Sequence, residues 1–196
     1  MSLTAKDSGG DYTPPPQGTH PAVCCAVIDL GTQYSEQYNR HAHKVLLGWE
    51  LDADPPREDG PHMAWKRYTL SLHKKAGLRG MLEAWRGRAF TPEELEGFDL
   101  HNIVGKGCLV SLTHDTRDGR TYANISAVSA LPKGMTAPTL SKDPVLFDLD
   151  SPDEAVFSAL SERLQETIRS SAEWQDRQSA GSPGEPPADD GDSLPF

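Results

Sequence analysis

Cysteine is scarce in this chain, with three residues in 196 and no Cys-x-x-Cys spacing. Cys24 and Cys25 are adjacent, so on a strand they point to opposite faces and cannot serve one bond or one metal. Cys108 stands alone, and the three are expected as reduced thiols, at least one of them packed in a core. Equally absent are a glycine-rich phosphate loop, a Gly-x-Ser-x-Gly elbow and a His-Glu-x-x-His pair. Asp and Glu fall mostly in loops and in the last quarter, so no paired-carboxylate site can be argued. His41-Ala42-His43, joined by His20 or a cysteine, makes an incomplete metal set. The plainer reading of that tripeptide is a polar lead-in to a strand. These gaps predict a protein without catalytic residues, metal or cofactor. There is no apolar run of membrane-spanning length and no basic-then-apolar leader, which predicts a soluble cytoplasmic protein that does not enter membranes.

Charge is uneven rather than scarce. The formal net charge is −10, and residues 143–196 hold thirteen acidic and three basic residues, against sixteen of each in 1–142. The body is therefore neutral and free to carry a basic face, while the acidic end should be repelled by nucleic acid and can compete with it for that face. With 17 glycines and 16 prolines, part of the chain is expected to lie outside any core.

Residues 1–18 read as a flexible arm followed by a stiff polyproline entry, Pro14-Pro15-Pro16. A domain follows over 19–132. Thr19–Leu30 is an almost unbroken apolar run, suiting a strand buried on both faces and ended by Gly31. Residues 31–40 are polar and read as a long loop. His43–Leu51 places Val45, Leu47, Trp49 and Leu51 on one face at period two. Pro55, Pro56, Gly60 and Pro61 mark an exposed loop. In Ala64–Leu72, Tyr68, Leu70 and Leu72 form one face, and Trp65, Arg67, Thr69 and Ser71 the other. Leu78, Met81, Leu82 and Trp85 recur at helical spacing and predict a helix over 76–87. Thr91-Pro92-Glu93-Glu94 starts a short helical turn. Two further strands, 107–115 and 120–131, flank the turn at Asp118-Gly119. Strand-strand-strand-helix-strand-strand is the order of an OB-fold, so the expected class is mainly β, a five-stranded OB-fold barrel. A connector (133–150), an amphipathic helix (151–175) striped by Val156, Leu160, Leu164 and Ile168, and a disordered acidic tail (176–196) complete the reading. The helix is expected to pack on the barrel, with a dimer contact as the other use of its stripe.

An OB barrel binds nucleic acid with cations for phosphates and aromatic faces for bases. Residues 62–90 concentrate both: Trp65, Lys66, Arg67, Lys74, Lys75, Arg79, Arg86 and Arg88, against the single acid Glu83. Tyr68 belongs to the core face, so Trp65 and Arg67 are the leading stacking and phosphate candidates. Lys44 on the second strand joins them, as do Arg117, Arg120 and Tyr122 around the last hairpin. Lys74, Lys75 and Arg79 are equally readable as the solvated side of a helix.

The last eight residues run Asp189-Asp190-Gly191-Asp192-Ser193-Leu194-Pro195-Phe196. Acids followed by an apolar residue, a proline and an aromatic ring suit capture in an apolar socket rimmed by cations. This tip resembles the acidic C-terminal tip of bacterial and phage single-stranded DNA-binding proteins, with Leu194 where isoleucine is usual. Val104–Val110 and Gly119-Arg120-Thr121-Tyr122 look similar to phage-encoded members of that group. The resemblance implies sequence-independent single-stranded DNA binding in replication, recombination or repair. It also implies recruitment of partner proteins through Asp189, Asp190, Asp192, Leu194, Pro195 and Phe196. A protein-binding adaptor and a small metal-dependent nucleic-acid enzyme are the alternatives.

Overall fold

A computed structural model describes residues 13–36 and 39–180. The tip at 189–196, and with it the expected docking residues, lies outside the described residues. The protein is mainly β. Strands β1 (Gly18–Ser35), β2 (Arg40–Leu51), β3 (His62–Thr69), β4 (Gly107–Arg117) and β5 (Arg120–Ser129) form an antiparallel path in the order β3-β2-β1-β4-β5. A three-residue strand, β6 (Val145–Phe147), adds to β1 in parallel. Helices α1 (Gly77–Arg86) and α2 (Pro92–Glu96) lie between β3 and β4, and α3 (Glu154–Ala159), α4 (Glu162–Arg169) and α5 (Ala172–Ala180) follow β6. Among the described residues no helix is long and apolar enough to cross a membrane.

β1 organises the molecule because its apolar run is buried on both faces. Ala22, Cys24 and Val27 join Val45, Leu47, Trp49, Leu82, Trp85, Val110 and Ile125 in an inner cluster. Cys25, Ala26, Ile28 and Leu30 join Leu46, Phe147, Phe157 and Ile168 in an outer one. A register shift between Cys24 and Ala26 makes Cys25 the extra residue of a bulge, so neighbours 25 and 26 both face outward. Burying a side chain such as Leu47, Ile28 or Leu82 contributes roughly 1.5–3 kcal/mol, and all three are essentially inaccessible. The cysteines divide as alternation requires, and all three are buried and free. Burial pushes the Cys24 and Cys25 thiols up to about 12 and raises Cys108 as well. α1 buries the expected Leu78, Met81, Leu82 and Trp85, and the Trp85 indole donates to Gly107 O at 2.9 Å. α2 begins with a capping box in which Thr91 and Glu94 satisfy each other's backbone N–H.

Four local expectations are corrected. Residues 31–35 are strand, not loop: β1 pairs onward from Gly31↔Lys44 to Ser35↔Arg40. Backbone hydrogen bonds carry this polar extension, so no apolar pattern announces it. Gly31, with φ +66, sits at a second register shift instead of ending the strand. Leu70 is 41% exposed, because β3 stops at Thr69 before it can continue the core face. The 151–175 helix is three helices, interrupted by extended backbone at Leu160 and by Ser170. A straight helix of that length would span roughly 35 Å; broken, it keeps Phe157, Leu160, Leu164, Ile168 and Trp174 on the outer cluster. At the polyproline entry, Pro15 O and Pro16 O lie 2.8 and 2.9 Å from His114 Nε2 and His20 Nε2.

Among the described residues no ladder joins β3 to β5 at the two ends of the path. They nevertheless meet through a side chain, since Lys66 Nζ donates to Ile125 O at 2.8 Å.

Candidate nucleic-acid interface

Beside that seam lies a groove of about 1130 Å³. Its walls come from the start of β2, the end of β3, the loop into α1, one side of α1, and β5 at Ser126–Val128. Five Lys or Arg residues line it (Arg40, Lys44, Lys66, Arg67 and Lys75) together with His41 and His73, and no Asp or Glu among the described residues does. Such one-signed lining between low-dielectric walls concentrates an anion-attracting field. Lys44 Nζ is held by Thr69 Oγ1 at 2.7 Å, which fixes its ammonium at the wall. Lys66 lies 5.5 Å from the Tyr68 ring centroid, and burial drives the Tyr68 hydroxyl up to about 12, leaving that ring neutral. α1 turns Gly77, Gly80 and Ala84 toward the groove. Its N-cap, Ala76, makes no side-chain cap and its first turn holds no acid, so the positive end of the helix adds to the field.

Trp65 and Arg67 share one face of β3, opposite Gly48 and Leu46 of β2. Arg67 lines the groove. Trp65 lies outside it, 44% exposed, with its ring against Gly48: a Cβ built there would fall 2.4 Å from the indole. The missing side chain leaves the indole room to pack against the β2 backbone while the residue stays exposed.

The remaining expected cations divide by their partners. Arg79 is paired with Glu83 at 3.0 Å and donates to Leu72 O. Arg86 and Arg88 converge on Glu94, and Arg86 also stacks over Phe90 and Phe98 at 4.5 and 5.1 Å. The hydrogen bonds from Arg88, the Thr91 backbone and Arg86 hold the Glu94 carboxyl down at about 2. These three arginines serve the α1–α2 corner and do not line the groove. Arg117 bonds its neighbour Asp115 at 2.6 Å. Lys74, Arg120 and Tyr122 are exposed but also lie outside the groove lining. Of the twelve residues expected to bind nucleic acid, four therefore come together in the groove: Lys44, Lys66, Arg67 and Lys75.

Sequence reasoning missed Arg40, His41 and His73 as groove residues. Arg40 closes the polar stretch expected as loop and His41 belongs to the polar lead-in to the second strand, so neither carries a groove signal in the sequence. The three histidines weighed as metal ligands have separate partners: His20 at Pro16, His41 against the Tyr34 ring at 5.2 Å, and His43 at Asp29. Among the described residues no three His, Cys, Asp or Glu side chains gather to hold a metal. No protein-family model matches the chain, and no curated protein does.

Proposed function

We propose that this protein binds single-stranded DNA without sequence preference, through the basic groove between β3, β5 and α1. The observation that carries this reading is the groove lining, in which every charged residue among those described is a cation. Lys44, Lys66, Arg67 and Lys75, with Arg40, take phosphates, and the exposed Trp65 takes a base, each stacked base being worth roughly 1–3 kcal/mol. Association releases counterions, so affinity falls as salt rises. The strand order, with a helix between β3 and β4, supports an OB-type barrel whose β3–β5 seam is bridged by the Lys66 side chain. In that fold a basic, aromatic-bearing strand face is a frequent ligand surface. The mechanism is binding and protection in replication, recombination or repair, with no covalent step.

The test is titration of the full chain into fluorescently labelled oligo-dT at low and high salt, reading anisotropy and tryptophan quenching. Salt-sensitive binding that is lost in a Lys44→Glu/Arg67→Glu/Lys75→Glu variant is expected. Absence of binding at low salt, or binding that ignores these three charges, overturns the proposal.

A further inference from the structure

We propose that His43 is a pH-operated clasp that holds α5 against the β1–β2 hairpin, releasing it as pH rises. The joint is built around the bulge at Gly31. Ser171, fully buried just before α5, packs so closely there that a Cβ on Gly31 would fall 2.5 Å from the Ser171 Cβ. From the first turn of α5, the Glu173 carboxylate accepts the Thr32 N–H at 2.7 Å and the Thr32 hydroxyl at 2.5 Å. It also faces His43 Nδ1 at 3.5 Å. The other ring nitrogen, Nε2, lies 2.6 Å from Asp29 Oδ1, which in turn accepts the Gly31 N–H at 2.8 Å.

The imidazole thus sits between a carboxylate of the hairpin and a carboxylate of α5, with the charge of Asp150 contributing from the segment before α3. Arg177, the cation of the next turn of α5, donates to the carbonyls of Leu149 and Asp150. Protonated, His43 donates to Asp29 and attracts Glu173. Neutral, it donates from one nitrogen only and leaves two carboxylates facing each other across an uncharged ring.

The direction of the pH effect follows. The hydrogen bond to Asp29 raises the His43 pKa above 6.5 against the opposing effect of burial, and the charge of Glu173, the part that α5 supplies, raises it further. The His43 contribution is therefore complete below 6.5 and is lost as pH climbs through the raised value. Burial alone would push Glu173 upward, but the Thr32 hydrogen bonds prevail and hold it below 4.5. Its contribution is present above 4.5 and is lost on acidification through the lowered value. The clasp is tightest between those two limits. What it covers is apolar: Trp174 of α5 stacks on Phe157 at 4.5 Å, over the outer cluster, so release uncovers an aromatic face.

Hydrogen exchange of the full chain, read by mass spectrometry from about pH 5.5 to about pH 8.5 and corrected for intrinsic rates, tests this. Protection over 172–180 and at Thr32 should fall several-fold across that range while β4 stays protected. His43→Gln should flatten the profile, and Glu173→Gln, which keeps an acceptor for Thr32 but removes the charge, should weaken it. PH-independent protection of α5 in the unaltered protein overturns the clasp, as does an unchanged profile in either variant. An NMR titration that places the His43 ring below 6.5 overturns it too.

Discussion

Lys66 Nζ donates to Ile125 O at 2.8 Å, so a side chain joins β3 to β5 where, among the described residues, no backbone ladder does. The same ammonium lines the basic groove. Lys66→Met should remove both roles. It leaves the Ile125 carbonyl without that donor and should cost about 1–3 kcal/mol in a urea unfolding experiment, with weaker oligo-dT binding. Lys75→Met, at an exposed position of the same groove, should weaken binding without a measurable change in stability. Equal stability of the two variants would remove the seam role from Lys66.

Trp65 and Gly48 form a second linked pair. Trp65→Ala should weaken oligo-dT binding by roughly ten- to a hundredfold if a base stacks there, with little change in the unfolding midpoint. Gly48→Ala drives a methyl into the indole and should weaken binding in the same direction by lifting the ring from the sheet. Unchanged affinity in Trp65→Ala would rule out stacking at this site.

Salt dependence separates the cations that line the groove from those that do not. Lys44→Gln and Arg67→Gln should each lower the slope of log affinity against log salt by about one. Arg79→Gln and Arg88→Gln should leave the slope unchanged, because Glu83 and Glu94 already occupy those side chains. An equal loss of slope in all four variants would show that binding is spread over the α1 surface.

Gly80 lies inside α1, and a Cβ there meets nothing within 4 Å. Gly80→Ala should therefore stabilise the protein by about 0.5–1 kcal/mol through reduced chain entropy, visible as a higher melting temperature. A lower melting temperature would mean that the open space is occupied.

The elements that repeat a strong apolar pattern were readable without coordinates. Leu78, Met81, Leu82 and Trp85 announce α1 because each carries its own burial signal at helical spacing, and all four are buried. The run through Ile28 announces a strand covered on both faces for the same reason. Elements held by backbone hydrogen bonds were not readable. The polar ends of the β1–β2 hairpin pair from Gly31↔Lys44 to Ser35↔Arg40 with no hydrophobic alternation to mark them. β6 is too short to show a period.

The candidate site divides along the same line. Composition along 62–90 already shows cations gathered beside Trp65, since charge and aromaticity are properties of single residues. Which of those cations remain available for a ligand is a property of pairs distant in the chain. Arg86 meets Glu94 of the next helix, and Arg67 meets the groove that β5 and Arg40 complete. Ion pairing, closure of the groove and the seat of α5 over Gly31 depend on distances between segments. Those distances are set by packing around β1, and no local pattern encodes them.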